Sequence, residues 1–557
     1  MTSAAEVNTT QNTGRRRGVA GLGVIGLGLA AMLCAFASSA SAQVYRLEPI
    51  DLPPGTTRGE AWSVNSAGTV AGRAWSPALG GYVGFVRVFD SPAQVTELMG
   101  PDEQHGLFSV NDAGLAVGTR AGSIGDRAVV FEAGELRDIT PPGLQVLAAQ
   151  APARAWSVNN AGVIAGAMTT ACGAGRFGLV GGQWSPGGVE ASLVLAGGGR
   201  TALGCAAAEL LSINPQGIAA GYSTVNVGTL LSPVFEPRPF LVNFAGASIT
   251  PLMTFTSPTE RGIARSVSAS GDACGTAQDL SDQGREYPVA WVDGTIVRLA
   301  SLSGGYEAGS TALGIGGTLG QDVVGRSGDE ATGRAVLWRS AGPPVDLQAA
   351  LQPAQPAWPA GWKLVTARAI SASGIIVGEG LAPGDLSGNM KPFLLVPCNP
   401  VVVQAPMART VCPNETLVLS VVSVAAGTQT YRWRRNGVFL ADGATPSGAL
   451  VVGSQTRAML IAGFRASDAG SFDVVITSEC GQAASAAAEL RYCPFDLSCD
   501  GFVTDSDFVP FVESYLLLLC DDPAMPTGCP ADFNADQQVD DADFLLFVEA
   551  YLQFFCP

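Results

Sequence analysis

Histidine is almost missing from this chain. The one copy in 557 residues, His105, stands before Gly106 in an expected loop and reads as a surface residue. A metal site built on several histidines is therefore excluded, and imidazole-based nucleophile activation has a single weak candidate. Lysine is nearly as scarce: only Lys363 and Lys391 are found among 31 basic residues, and the arginines form no patch. Nucleic acid is thereby removed from the expected partners. Charged residues make up only 14% of the chain, against 47% apolar residues and 70 glycines, which excludes a disordered or coiled-coil protein. The length exceeds what one core supports and implies roughly three domains.

Residues 1–42 read as an export signal. Arg15, Arg16 and Arg17 precede an apolar run from Gly18 to Phe36, and small residues end in Ala40-Ser41-Ala42. An uncleaved anchor is the competing reading. No second membrane segment follows, so no span is expected after signal removal. The exported chain keeps 11 of the 12 cysteines, so disulfides are allowed.

Residues 43–397 are built on a repeat: apolar, x, Ser/Ala, Val/Ile, Asn/Ser, x, x, Gly, x, apolar, x, Gly. Copies are AWSVNSAGTVAG (Ala61–Gly72), LFSVNDAGLAVG (Leu107–Gly118), AWSVNNAGVIAG (Ala155–Gly166), LLSINPQGIAAG (Leu210–Gly221), ARSVSASGDACG (Ala264–Gly275) and ARAISASGIIVG (Ala367–Gly378). A degenerate copy spans Ala312–Gly325, and the closing glycines are 46 to 55 residues apart. Each copy reads as two strands around an Asn-x-x-Gly turn, with further strands such as RAVVFEAG (Arg127–Gly134) and LRDITPPG (Leu136–Gly143). Seven such units predict a seven-bladed β-propeller. The last unit stops at Lys391–Pro397, and Tyr45–Gly55 is expected to supply its missing strand and close the ring. An open β-solenoid is the alternative.

These motifs resemble the HAF-repeat family of exported bacterial proteins, although the eponymous His-Ala-Phe is replaced here by Arg-Ala-Val or Lys-Pro-Phe. The resemblance implies architecture and export, not a reaction. Glu60, Asp272 and Glu379 lie beside the motif at different offsets and are expected to be solvated loop acids, forming none of the paired carboxylates a glycosidase needs.

Residues 398–492 change character. ETLVLSV (Glu415–Val421), TYRWRRNG (Thr430–Gly437) and DAGSFDVVI (Asp468–Ile476) resemble an immunoglobulin-like domain. That resemblance makes Trp433 the core tryptophan and places Val421 and Val474 where the inter-sheet cysteines usually stand. Cys398–Cys480 is the expected bridge. The domain serves either ligand contact or spacing.

Residues 493–557 carry the most specific chemistry. From Pro494 onward there are 13 acidic residues and neither Lys nor Arg, against a whole-chain net charge of −17. Such a segment repels itself unless cations neutralise it. Cys493–Cys520 realigns on Cys529–Cys556 with a shift of 36. The pairing gives two calcium loops: Asp496, Ser498, Asp500, Phe502 (by its carbonyl), Thr504 and Asp507, and Asp532, Asn534, Asp536, Gln538 (by its carbonyl), Asp540 and Asp543. Gly501 makes the sharp turn of the first loop. Gln537 replaces it in the second, where strain is expected. Val503 and Val539 are expected to pack the loops together. Each loop leads into a helix with one apolar face, Phe508, Phe511, Val512, Tyr515 and Leu516, or Phe544, Phe547, Val548, Tyr551 and Leu552.

The tandem resembles a dockerin type I module, which implies two Ca2+ ions and a cohesin-like partner bound through the helices. Calcium used only for folding is the alternative. With Asp at the twelfth loop position the expected affinity is about 10⁻⁵–10⁻³ M. Antiparallel units predict Cys493–Cys556 and Cys520–Cys529. Cys172–Cys205 is expected within the repeats, and Cys274, Cys412 and Cys499 are left without partners.

The expectation is thus a mainly β multidomain protein: seven-bladed β-propeller, immunoglobulin-like β-sandwich and small α-helical dockerin-like calcium module. It is secreted or held at the cell surface, non-enzymatic, polysaccharide-associated, and serves adhesion or assembly, with a glycan as a further possible partner. The rival is a propeller glycan hydrolase or lyase tethered through the tail.

Overall fold

The computed structural model describes residues 44–88, 93–123, 125–139, 153–171, 177–184, 191–194, 208–228, 232, 234–244, 248–256, 260–317, 320–329, 331–351, 361–385, 388–413, 415–526 and 528–553. The expected signal and Cys172–Cys205 lie outside them.

Seven four-stranded antiparallel sheets account for the repeats. The first runs Arg58–Val64, Val70–Ser76, Gly81–Arg87, Gln94–Gly100, and the other six begin at Gly106, Ala153, Ala208, Gly262, Thr311 and Lys363. The expected strand exchange occurs: Tyr45–Pro49 pairs antiparallel with Lys391–Pro397 as the fourth strand of the seventh sheet. Consecutive sheets pack face to face through alanine-, valine- and leucine-rich layers. The seventh packs on the first, with Ile375, Val377, Leu394 and Val396 meeting Val64, Val70 and Phe85 in one core.

The motif is explained by what crosses between sheets. Asn65, Asn111, Asn159 and Asn214 are buried; each Oδ1 accepts the amides two and four residues on, closing its own turn. Each Nδ2 then donates to a carbonyl of the following sheet: Asn65 to Asn111, Asn111 to Asn159, Asn159 to Asn214 and Asn214 to Ser268, at 2.9–3.0 Å. The motif serine works in the same direction, Val110 N–H donating to Ser63 Oγ and Val158 N–H to Ser109 Oγ, both at 3.2 Å. From the seventh sheet to the first, Ser373 Oγ donates to the Ser66 carbonyl at 2.9 Å. Sequence reading assigned the asparagine to its own turn and missed this second bond.

The closing glycines Gly72, Gly118, Gly221, Gly275, Gly325 and Gly378 are needed for space. A Cβ on Gly118, Gly221 or Gly325 would stand 2.0 Å from the carbonyl oxygen of Gly106, Glu209 or Thr311 on the neighbouring strand. That carbonyl stands two residues before a bulge in the neighbouring strand. In all seven sheets the register shifts at the second motif position, from Trp62 in the first to Arg368 in the seventh.

Two packed sheets form the next unit. One contains Leu417–Ser420, Ala458–Ala462, Leu450–Val452 and Gly443–Ala444; the other is built around Gly470–Ser478 and Thr430–Arg435. Trp433 is fully buried between them with Val421, Phe472 and Val474, and its Nε1 donates to the Thr456 carbonyl. The core is apolar where a disulfide was not expected. Cys398 and Cys480 are bonded, as expected, with Cα atoms 5.5 Å apart.

The tail holds two helices, α1 (Asp505–Tyr515) and α2 (Asp541–Tyr551). They run antiparallel: Tyr515 Oη donates to Asp541 Oδ1 at 2.6 Å, and Tyr551 Oη reciprocally to Asp505. Phe511 and Phe547 stack at 5.1 Å in a core that also buries Val503 and Val539. The expected apolar faces need correction. Leu516 and Leu552 are 75% and 72% exposed, because each is the cap just past its helix and turns away from the phenylalanine row.

Cys520–Cys529 forms as expected, and Cys493 is disulfide-bonded, its expected partner Cys556 lying outside the described residues. Cys412 and Cys499, to which the sequence assigns no partner, bond to each other with Cα atoms 5.4 Å apart. This ties the sandwich to the first loop, a proximity set by tertiary packing. Cys274 is free and buried. Disulfides fit an oxidising compartment, and no helix among the described residues is long and apolar enough to cross a membrane.

Candidate functional site

Two places gather chemistry. The first is the pair of acidic loops. Carboxylate oxygens of Asp496, Asp500 and Asp507 lie within 4.8 Å of one another, as do those of Asp532, Asp536 and Asp543. The same backbone scheme builds both. Asp496 accepts the amides of Asp500 and Gly501, and Asp532 those of Asp536 and Gln537. Asp507, fully buried, accepts from Ser498 and Thr504 across the loop; Asp543 accepts from Phe533, Asn534 and Asp540. Burial pushes the Asp496 carboxyl above its ordinary value, and the nearby Asp507 and Asp500 charges add to this. Three carboxylates drawn together without a basic partner are a donor set suited to a hard cation.

The remaining predicted ligands divide. Ser498 and Asn534 are exposed at the loop rims, where Asn534 Nδ2 donates to Asp536. Phe502 and Gln538 are exposed at the seventh position, where the carbonyl was expected to serve. Thr504 and Asp540 act as helix caps: their side chains accept the amides of Ser506 and Ala542, in reciprocal boxes with Asp507 and Asp543. Asp540 is correspondingly outside the carboxylate cluster. Gln537 has φ 72°, the left-handed conformation that Gly501 adopts at φ 90°, so the expected strain is present.

The second place is a cavity of about 420 Å³ into which all seven sheets contribute. The bulge residues line it. Trp62, Phe108 and Trp156 form an aromatic arc with neighbouring centroids 5.1 and 4.8 Å apart. Leu211, Arg265, Leu313 and Arg368 complete the circuit. Sequence reading left this position as an unspecified x. Its signal is a residue of changing type at a fixed place between Ala or Leu and Ser, Gly or Ala.

Charged groups rim the arc. Arg368 is ion-paired with Glu379 at 2.8 Å and Glu60 at 3.4 Å, and lies over the Trp62 ring at 4.4 Å. Glu60 also binds Arg73 at 2.9 Å. Burial raises the Glu379 carboxyl despite Arg368. Burial acts likewise on Glu60, but Arg368 and Arg73 outweigh it and hold that group low. The expectation of solvated loop acids is therefore corrected: Glu60 and Glu379 are strand residues locked to arginines, and Asp272 is buried, accepting from Ser270 and Asp293. His105 is corrected too. It is buried, accepts the Asp102 amide at Nδ1, and turns Nε2 to Asp126, which Arg154 also binds.

No protein-family model matches the chain, and no curated protein matches it. Solved structures with local similarity include a chimeric titin Z1Z2 bearing a decorin peptide (24% identity, 17% of this chain, 95% of that chain, TM-score 0.15). Titin M4 (19% identity, 17% and 94%, TM-score 0.15) and tandem Ig repeats of Dlar (15% identity, 22% and 89%, TM-score 0.16) are others. At those scores the likeness carries no argument about this chain. What the chain can do is read from its own geometry, which is mainly β with a two-helix, acid-rich tail.

Proposed function

We propose that the chain is a secreted, non-enzymatic surface or matrix protein. The seven sheets act as blades of a β-propeller that presents a binding surface to glycan. The sandwich is an immunoglobulin-like spacer, and the tail is a dockerin-like module that folds around two Ca2+ ions and docks to a cohesin-like partner. The observation that carries this reading is the duplicated carboxylate triad, Asp496/Asp500/Asp507 and Asp532/Asp536/Asp543, in a segment with no basic residue. Bound cations would supply the missing positive charge. The partner surface would be the exposed apolar stripe of the helices, which includes Val509, Leu516, Leu545 and Leu552.

Calorimetric titration of the full chain with CaCl2 after chelation is expected to give about two ions per chain with dissociation constants of ~10⁻⁵–10⁻³ M. The double variant Asp507→Asn, Asp543→Asn should lose both. A chain that takes up no calcium at millimolar concentration would end the docking account.

A second reading, a glycan hydrolase or lyase, draws on one observation. Glu60 and Glu379 share Arg368, and their environments push their carboxyls in opposite directions. Release of reducing ends from a polysaccharide panel, abolished by Glu379→Gln, would favour it.

A further inference from the structure

The cavity is rich in hydrogen-bond donors that have nothing to bind. The side chain of Arg265 is half-buried and makes no hydrogen bond or ion pair among the described residues, and its Nε is buried without a partner. Its guanidinium is pressed downward in pKa by burial, with Glu286 acting in the opposite sense and Arg368 adding repulsion. The Trp156 indole N–H faces Glu209 without reaching hydrogen-bond geometry. The cavity serines Ser63, Ser109, Ser157, Ser212 and Ser266 each spend an oxygen lone pair on an amide of the next sheet, at 3.2–3.4 Å. Among the described residues their hydroxyl hydrogens meet no acceptor. Glu209, the acceptor on this wall, is engaged by Arg154.

Such a wall calls for a ligand that is anionic, oxygen-rich and flat enough to lie on aromatic rings. A carboxylate alone would satisfy Arg265 and leave the hydroxyls unmet. A neutral sugar would meet the hydroxyls and leave the half-buried Arg265 guanidinium, whose Nε is fully buried, without an anionic acceptor in the cavity. The volume lies within the range of about 300–1,000 Å³ usual for small-ligand pockets.

We propose that this cavity holds a hexuronate unit of an acidic polysaccharide, its carboxylate on Arg265 and its ring face against Phe108 and Trp156. The assignment rests on the reading of the seven sheets as a glycan-presenting surface and names the glycan class.

The test uses the full-length protein in chelator, so that calcium in the tail cannot bridge acidic chains. A trigalacturonate, a neutral galactose trimer and benzoate are titrated by calorimetry and tryptophan fluorescence. The acidic trimer is expected to bind at least tenfold more tightly than either of the others. Arg265→Gln should lose that preference by a similar factor with an unchanged melting curve. Should Arg265→Gln not fold, Arg265→Lys replaces it, with a loss of several-fold expected from removal of the Nε donor. Equal affinity for both trimers, benzoate binding as tight as the acidic trimer, or an arginine variant that binds normally would each overturn the hexuronate assignment. Retention on immobilised polysaccharide separates the two levels. Wild-type and variant retained alike on acidic and neutral matrices leaves the glycan surface standing without the assignment. Retention on neither removes both.

Discussion

Glu260 is wholly buried yet has no cationic partner in any described ion pair. Its carboxylate takes the Thr256 and Leu280 amides at 3.0 Å and the Thr256 hydroxyl at 2.6 Å. Burial pushes its pKa up, but the Thr256 hydroxyl and these amides outweigh it and hold the group at about 2, against an ordinary 4.5. Because the folded value is depressed, its stabilisation is complete above about pH 4.5 and is lost as pH falls through about 2. Glu260→Gln should cost about 1–3 kcal/mol at pH 7, and the gap to wild type should close on acidification, measured by denaturant unfolding at a series of pH values. Composition gave no hint of this site, since its partners come from two separate segments. The loop aspartates were legible, because ligand spacing is local and was written twice. His105 was misplaced for the opposite reason: its burial is imposed by Asp102 and Asp126, which sequence proximity to a glycine conceals.

The repeat element shows how one glycine serves a neighbour rather than itself. Gly217 turns the chain at φ 78° with open space around it, while Gly221 leaves room for the carbonyl of Glu209 on the neighbouring strand. Alanine at the turn meets left-handed strain of about 1–2 kcal/mol. Alanine at Gly221 places a carbon 2.0 Å from backbone that cannot step aside. Gly221→Ala is therefore expected to cost about 3 kcal/mol, and clearly more than Gly217→Ala, in paired thermal melts. The strands and their turns were readable from alternation and from Asn-x-x-Gly. The bulge was not, because a bulge leaves no fixed residue type: its position holds Trp, Phe, Leu and Arg in different copies. The asparagine's bond to the next sheet was likewise invisible, since it needs the spacing between sheets, not the order along one.

At the scale of the molecule, the seventh sheet is completed by residues more than three hundred positions away. Tyr45 and Leu47 are buried in its core, and their strand covers an otherwise open edge. Deleting residues 44–50 should lower the melting temperature and produce concentration-dependent oligomers in light scattering, as the exposed Lys391–Pro397 edge seeks another strand. This closure was readable because the first strand resembles the strand that the last repeat lacks. The bond between Cys412 and Cys499 was not, because nothing in either motif says that the sandwich and the first acidic loop touch.

That bond also sets a mechanical route. A pull on α1 reaches Cys499 before it can straighten residues 494–498, and there the load divides. Part follows the main chain to Ala488–Tyr492, and part crosses sulfur to Cys412 and the strand Arg409–Val411. These two strands lie parallel and bonded side by side, Arg409 opposite Leu490 and Val411 opposite Tyr492. Traction on the tail is thus shared by adjacent rails of one sheet, and the short connector before the first loop is shielded from it.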